Sequence, residues 1–296
     1  MVPLREGIAS SGATAALSDY LDLAKPRLTL TVILSGVVGY CLGAASLEVT
    51  HLLWFALGTF LLVAGANAFN QVVERESDAR MRRTAQRPIP AGRISPADGA
   101  LAAALASLLG LVLLFADCGP LTGALGAAAL VVYVLVYTPM KRRSSWSTLP
   151  GAISGAMPTL MGYSAAAGTL AAPAWCLFGV LFFWQFPHTW AIAATYREDF
   201  ERVGNRALPG RGLALGTVVA TAALLLTSLI PSFWGDAGPL YTLGALVLGG
   251  AFLASAVRFG DGTRRHRATA LLAASLLYLP LILAVIVLGA LGGEGF

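Results

Sequence analysis

HLLWFALGTFLLVAGANAFNQVVERESDARMRRTAQRPIP, residues His51 to Pro90, joins an apolar run to the densest charge in the chain. Its first half, His51 to Val72, is long enough for a helix to cross a hydrocarbon core of ~30 Å, which takes ~20 residues. Its second half crowds Glu74, Glu76 and Asp78 against Arg75, Arg80, Arg82, Arg83 and Arg87. Asn70, Glu74 and Asp78 recur at every fourth residue, so a helix that continues beyond the span stacks their oxygens on one face. Asn70 still lies inside the span, where a polar group is costly and commonly functional. The stretch reads as a membrane helix that emerges into a polar site able to take a metal-bound phosphate.

The rest of the chain has the same character. It is 57% hydrophobic and only 12% charged, with a mean hydropathy of +0.74, far from soluble globular composition. Apolar runs fall near Leu28 to Ser46, His51 to Val72, Asp98 to Ala116, Leu121 to Tyr137, Leu149 to Gly168, Pro173 to Thr195, Leu213 to Ile230, Leu240 to Val257 and Ala270 to Leu291. The expected fold is an all-α integral membrane protein, a single bundle of nine transmembrane helices. Residues 1–24 are expected to form a flexible tail with an amphipathic end at Leu17 to Leu23, and residues 25–296 one polytopic domain. The first 24 residues hold no long apolar core before a small-residue cleavage site, so no removable signal peptide is expected.

Every one of the 20 Lys and Arg lies in the N-terminal segment or in alternate connections, all on one side of the nine-span arrangement. Basic residues bias such loops toward the cytoplasm, which puts the N-terminus and the charged helix ends inside a cell (inner) membrane and the C-terminus outside. The formal +5 charge follows from this topology and gives no reason to expect nucleic acid. Cys41, Cys118 and Cys176 lack metal-ligand spacing. A Cys118–Cys176 pair is possible near the outer face, with apolar packing the simpler reading.

Several residues carry chemistry. Magnesium takes one or two carboxylates together with waters and substrate phosphates, which suits Asn70, Glu74 and Asp78 and, from a second acidic group, Glu198 and Asp199. Arg83 and Arg87 follow the first acids; Lys141 and Arg142 follow a helix end in YTPMKRR, supplying both a bidentate fork and a point charge for a diphosphate. In FFWQFPHTWAIA, Pro187 is expected to break the backbone hydrogen-bond ladder of a membrane helix, which is tolerated beside a cavity, so Gln185 and His188 are expected to line one. The plainer alternatives are solvated loop acids, cations serving topology alone and a core histidine. A transporter would place charged or unwound segments near the midplane, whereas these charges gather at helix ends. There is no GxxxxGK[ST], no HExxH and no Rossmann glycine pattern.

Asn70 to Pro90 resembles the first signature of the UbiA superfamily of intramembrane prenyltransferases, and in detail the branch that farnesylates heme. The branch marks are Asn70-Gln71, Glu74 and Asp78, then Met81, Arg83, Thr84, Arg87 and Pro88. The resemblance continues through Tyr137, Thr138, Lys141 and Arg142, through Gly151 to Gly162, through Trp184, Gln185, Pro187 and His188, and through Arg197, Glu198 and Asp199. It runs from about Lys25 to Pro209; the last three spans match only in character. One departure is that the usual second aspartate, four residues after Asp199, is Val203 here.

The resemblance implies a Mg2+-dependent transfer of the farnesyl group of farnesyl diphosphate to a vinyl group of heme B, with addition of water. Asn70, Glu74, Asp78 and Asp199 would then hold metal and act in catalysis with Lys141. Arg83, Arg87, Arg142, Tyr137, Glu198, Gln185 and His188 would meet the substrates. Membrane lipid, heme A synthase and a terminal oxidase assembly are the further partners it implies. The alternative within the family is an aromatic acceptor of quinone synthesis.

Overall fold

A computed structural model describes residues 17–141, 143–204, 212–235, 237–260 and 262–291. Arg142 and the Leu208-Pro209 pair lie outside them. The described residues are helical throughout, with no strand. The helices are α1 (Leu17–Ala24), α2 (Pro26–Gly43), α3 (Val49–Asp78), α4 (Pro96–Asp117), α5 (Pro120–Met140), α6 (Thr148–Ala167), α7 (Ala172–Thr195), α8 (Arg197–Arg202), α9 (Leu213–Trp234), α10 (Pro239–Phe259) and α11 (Arg265–Leu291).

Each of the nine expected runs holds a long helix, and eight of these helices are long and apolar enough to cross a membrane. The ninth, α6, falls outside that set because its sequence, TLPGAISGAMPTLMGYSAAA, is built from small residues. Small side chains let helix backbones approach closely inside a membrane protein. A Cβ placed on Gly162 would collide with the carbonyl oxygen of Gly36 on α2. Thus α6 is the buried axis of one half of the bundle, and its modest hydropathy reflects contact with helices rather than lipid.

Helix starts are encoded locally. Proline, which needs no N–H partner in a first turn, opens α2, α4, α5 and α10. Ser95 caps α4 by accepting from the Asp98 N–H at 3.0 Å, an arrangement that contributes ~1 kcal/mol. The interior of α7 holds Pro187, yet the helix runs unbroken from Ala172 to Thr195. The ladder lacks the hydrogen bond that the proline nitrogen cannot donate, while the helix continues past it.

The charged end of the bundle is folded rather than loose. α1 presents Leu23 to a cluster with Ala68, Ile89, Ile94 and Ala103, while Leu17 and Leu21 stay exposed. Arg93 donates to Asp19 at 2.7 Å, and Gln71 donates to the Leu23 carbonyl at 3.0 Å. The amphipathic end expected at Leu17 to Leu23 is helix α1, docked on the bundle; residues 1–16 lie outside the described ones. Cys118 and Cys176 are buried free thiols in different apolar clusters, so they pack and do not pair. Burial raises the Cys118 thiol to about 11, which keeps it protonated.

Candidate active site

The last turns of α3 carry Asn70, Glu74 and Asp78 on one face, since the helix continues without interruption to Asp78. They open onto a cavity of about 540 Å³ that is also lined by Lys25, Arg83, Arg87, Tyr133, Tyr137, Lys141, Trp184, Gln185 and His188. Lys25 and His188, 163 positions apart in sequence, are thereby brought into one space with side chains of α3, α5 and α6.

Each acid at the rim faces a cation. Arg87 donates to Asp78 Oδ2 at 2.6 Å, and Lys141 reaches both Glu74 oxygens, at 3.0 and 3.2 Å. Asp78 is fully buried, and its Oδ1 has no hydrogen-bond partner. An orphaned carboxylate oxygen in a cavity wall is a costly arrangement and suits a hard cation. Asn70 accepts from Lys25 Nζ at 3.4 Å and donates to Thr138 Oγ1 at 3.3 Å, and Thr138 in turn donates to the Tyr133 carbonyl at 2.8 Å.

Lys25 is among the site residues that the sequence did not single out. It sits in the turn between α1 and α2 with φ 48°, the one non-glycine in the left-handed region among the described residues. Such strain persists where surrounding structure enforces it, and it concentrates at functional sites. Burial, with the nearby charges of Arg87 and Lys141, pushes the Lys25 ammonium down to about 7. An anion entering the cavity would favour its charged form. Lys141 behaves oppositely: burial works against its charge, but Tyr137 and Glu74 beside it hold the ammonium above its ordinary value.

The tyrosines owe their place to a wide turn. Residues Val132–Tyr137 of α5 wind with one extra residue, ahead of Pro139, whose ring disfavours a regular turn. Their rings lie 5.3 Å apart, and Lys141 Nζ sits 4.5 Å from the Tyr137 centroid. Arg83 lies over the Tyr196 ring at 5.2 Å. On the facing wall, Gln185 donates to the Ala152 carbonyl at 3.3 Å, in space that Gly155 leaves open.

The second acidic group is not in this cavity wall, which takes Phe200 and Val203 from its neighbourhood. Asp199 accepts from the Arg82 backbone N–H at 3.3 Å and pairs with Arg202 at 3.6 Å. The Glu198 side chain is 85% exposed. Asp199 thus ties the loop after α3 to α8, and the Glu198 side chain faces outward. Among the described residues no three His, Cys, Asp or Glu form a metal cage. A cation here would rest on two carboxylates and an amide, with its remaining oxygens supplied by ligand and water.

The UbiA prenyltransferase family matches residues 32–282. A protoheme IX farnesyltransferase of Solibacter usitatus (strain Ellin6076) is 42% identical over 288 residues, covering 92% of this chain and 98% of the relative. One of Opitutus terrae (strain DSM 11246 / JCM 15787 / PB90-1) is 42% identical over 282 residues, covering 93% and 96%. Among solved structures, a digeranylgeranylglyceryl phosphate synthase superposes with a TM-score of 0.79 at 18% identity, covering 93% of this chain and 99% of the other. A UbiA homolog from Archaeoglobus fulgidus bound to GPP and Mg2+ gives 0.63 at 18% identity, covering 90% and 99%.

Proposed function

The chain belongs to the UbiA prenyltransferase family, and we propose that it transfers the farnesyl group of farnesyl diphosphate to a vinyl group of heme B, with addition of water, giving heme O and diphosphate. The observation that carries this reading is that one cavity has an acid-and-cation rim at one end and Trp184, Gln185 and His188 on its facing wall. Relatives named for this reaction match almost end to end.

Lys25, Arg83, Arg87 and Lys141 bind the diphosphate and offset its charge as the C–O bond to farnesyl breaks and the electron pair leaves with it. Asn70, Glu74 and Asp78 would hold Mg2+, which supplies further neutralisation of the leaving group when bound. Tyr133 and Tyr137 offer ring faces to the positive charge that develops on the allylic carbon. The vinyl π electrons form the new C–C bond. The charge then rests beside the tetrapyrrole, where water adds and loses a proton to solvent.

The apolar portion of the wall, including Val32, Leu181 and Leu279, keeps water from the first cation. Leu28 on α2 and Leu276 on α11 line the cavity yet are each about half exposed, at 50% and 55%. The cavity thus reaches the flank of the bundle where α2 and α11 meet, and both lipid-soluble substrates reach it from the bilayer there. A smaller apolar pocket of about 90 Å³ adjoins it across Leu28, Val32 and Tyr133 and suits part of the isoprenoid tail. Burying that tail contributes at ~0.8 kcal/mol per CH₂, less what lipid already supplies.

The rim faces the cytoplasm of an inner membrane in this reading, and the product passes to heme A synthase or to terminal oxidase assembly. The test offers purified protein farnesyl diphosphate and Mg2+ with heme B and 4-hydroxybenzoate in competition. Heme B is expected to be prenylated and chelation to stop it; a prenylated hydroxybenzoate as the sole product would overturn the assignment.

A further inference from the structure

His188 and Trp184 lie one turn apart on α7, and their rings stack 4.3 Å apart at 17°. Both rings are tied to one residue of α11. Trp184 Nε1 donates to the Ser275 carbonyl at 2.9 Å, and His188 Nδ1 is 2.8 Å from the Ser275 hydroxyl. That hydroxyl is fully committed. It lies 2.7 Å from the Leu272 carbonyl oxygen, which can only accept, so its one proton goes there. The contact with His188 is then satisfied only if Nδ1 carries a proton and donates it to Ser275. In the neutral ring the tautomer follows: Nε2 is the unprotonated nitrogen, with its lone pair in the ring plane. His188 lines the cavity, and no described residue hydrogen-bonds its Nε2.

A neutral histidine whose Nδ1–H is anchored and whose Nε2 is bare in a cavity has the arrangement that metal-ligating histidines adopt. We propose that His188 Nε2 is an axial ligand to the iron of the tetrapyrrole acceptor, and that Ser275 is the positioning residue that fixes its tautomer and ring plane. This inference rests on the heme reading above. Ligation breaks no covalent bond and transfers no electron. Its effect is positional: pinning iron to α7 and stacking the ligand ring on Trp184 sets the rotation of the porphyrin, and so which vinyl group faces the farnesyl carbon. A longer or rotated ring at 188 would lose regiochemistry along with affinity.

The test uses the full-length purified protein, loaded with ferric heme B in the absence of farnesyl diphosphate. Absorption and electron paramagnetic resonance are read on samples labelled with [15N]histidine. The wild type is expected to show histidine nitrogen coupled to iron. His188→Gly should lose that coupling and regain an imidazole-ligated spectrum on addition of imidazole, which also separates lost ligation from lost folding. Ser275→Ala should bind heme ~10-fold or more weakly with an altered spectrum, and Ser275→Thr should restore both. A spectrum unchanged by His188→Gly overturns the proposal, as does one altered but indifferent to imidazole. If the wild type makes heme O yet shows no histidine coupling, this inference fails while the acceptor assignment stands. If it neither binds heme nor makes heme O, the assignment itself fails, and the inference with it.

Discussion

At the scale of single residues, the acids on α3 are defined by what each oxygen touches. Asp78 is sealed from solvent, with one oxygen on Arg87 and the other unpartnered. Asp78→Asn keeps the shape and removes the charge, so turnover should fall by ~10²-fold or more while the variant is extracted from membranes in normal yield. Turnover near the wild-type rate in steady-state assays would rule out the anchoring role given to this carboxylate. Asn70, Glu74 and Asp78 were legible because helical spacing alone aligns them. Lys25 and Ser275 were not, since each sits in a different element, 45 residues before Asn70 and 87 after His188, and only tertiary packing joins them. The surroundings of Asp199 and Glu198 were equally hidden: α8 turns Glu198 outward and sets Asp199 against Arg82 and Arg202.

At the scale of elements, apolar periodicity located all nine long helices, but it could not say which of them lipid touches. α6 shows the difference, because its small residues serve backbone contact with α2. Gly162→Ala drives a methyl group into the Gly36 carbonyl and should destabilise the protein by ~1–3 kcal/mol. Gly250→Ala on α10 meets nothing within 4 Å and should be neutral or slightly stabilising, given alanine's better helix propensity. Thermal unfolding of the two variants in detergent distinguishes them, and equal midpoints would contradict the packing described for α2 and α6. The wide turn in α5 and the continuity of α7 through Pro187 were equally illegible. Proline signals lost hydrogen bonding in both, and it alone does not decide between a wide turn and a regular helical one.

At the scale of the whole molecule, charge and cavity coincide at one end. The proposed topology puts that end in the cytoplasm. A cysteine in place of the exposed Arg143, in a background without the native thiols, should react with an impermeant maleimide only in inverted vesicles, and one replacing Leu47 only in intact cells. The reverse pattern would invert the orientation. The bundle itself is shared with solved structures of 18% identity, and in the proposed reading the wall around His188 carries the choice of acceptor. The most direct measurement is therefore the mass of the pigment formed by membranes containing this protein, given heme B, farnesyl diphosphate and Mg2+. The expected product is heavier than heme B by a farnesyl group plus a hydroxyl group, made on one vinyl side chain. Heme B recovered unchanged while farnesyl diphosphate is consumed would contradict it.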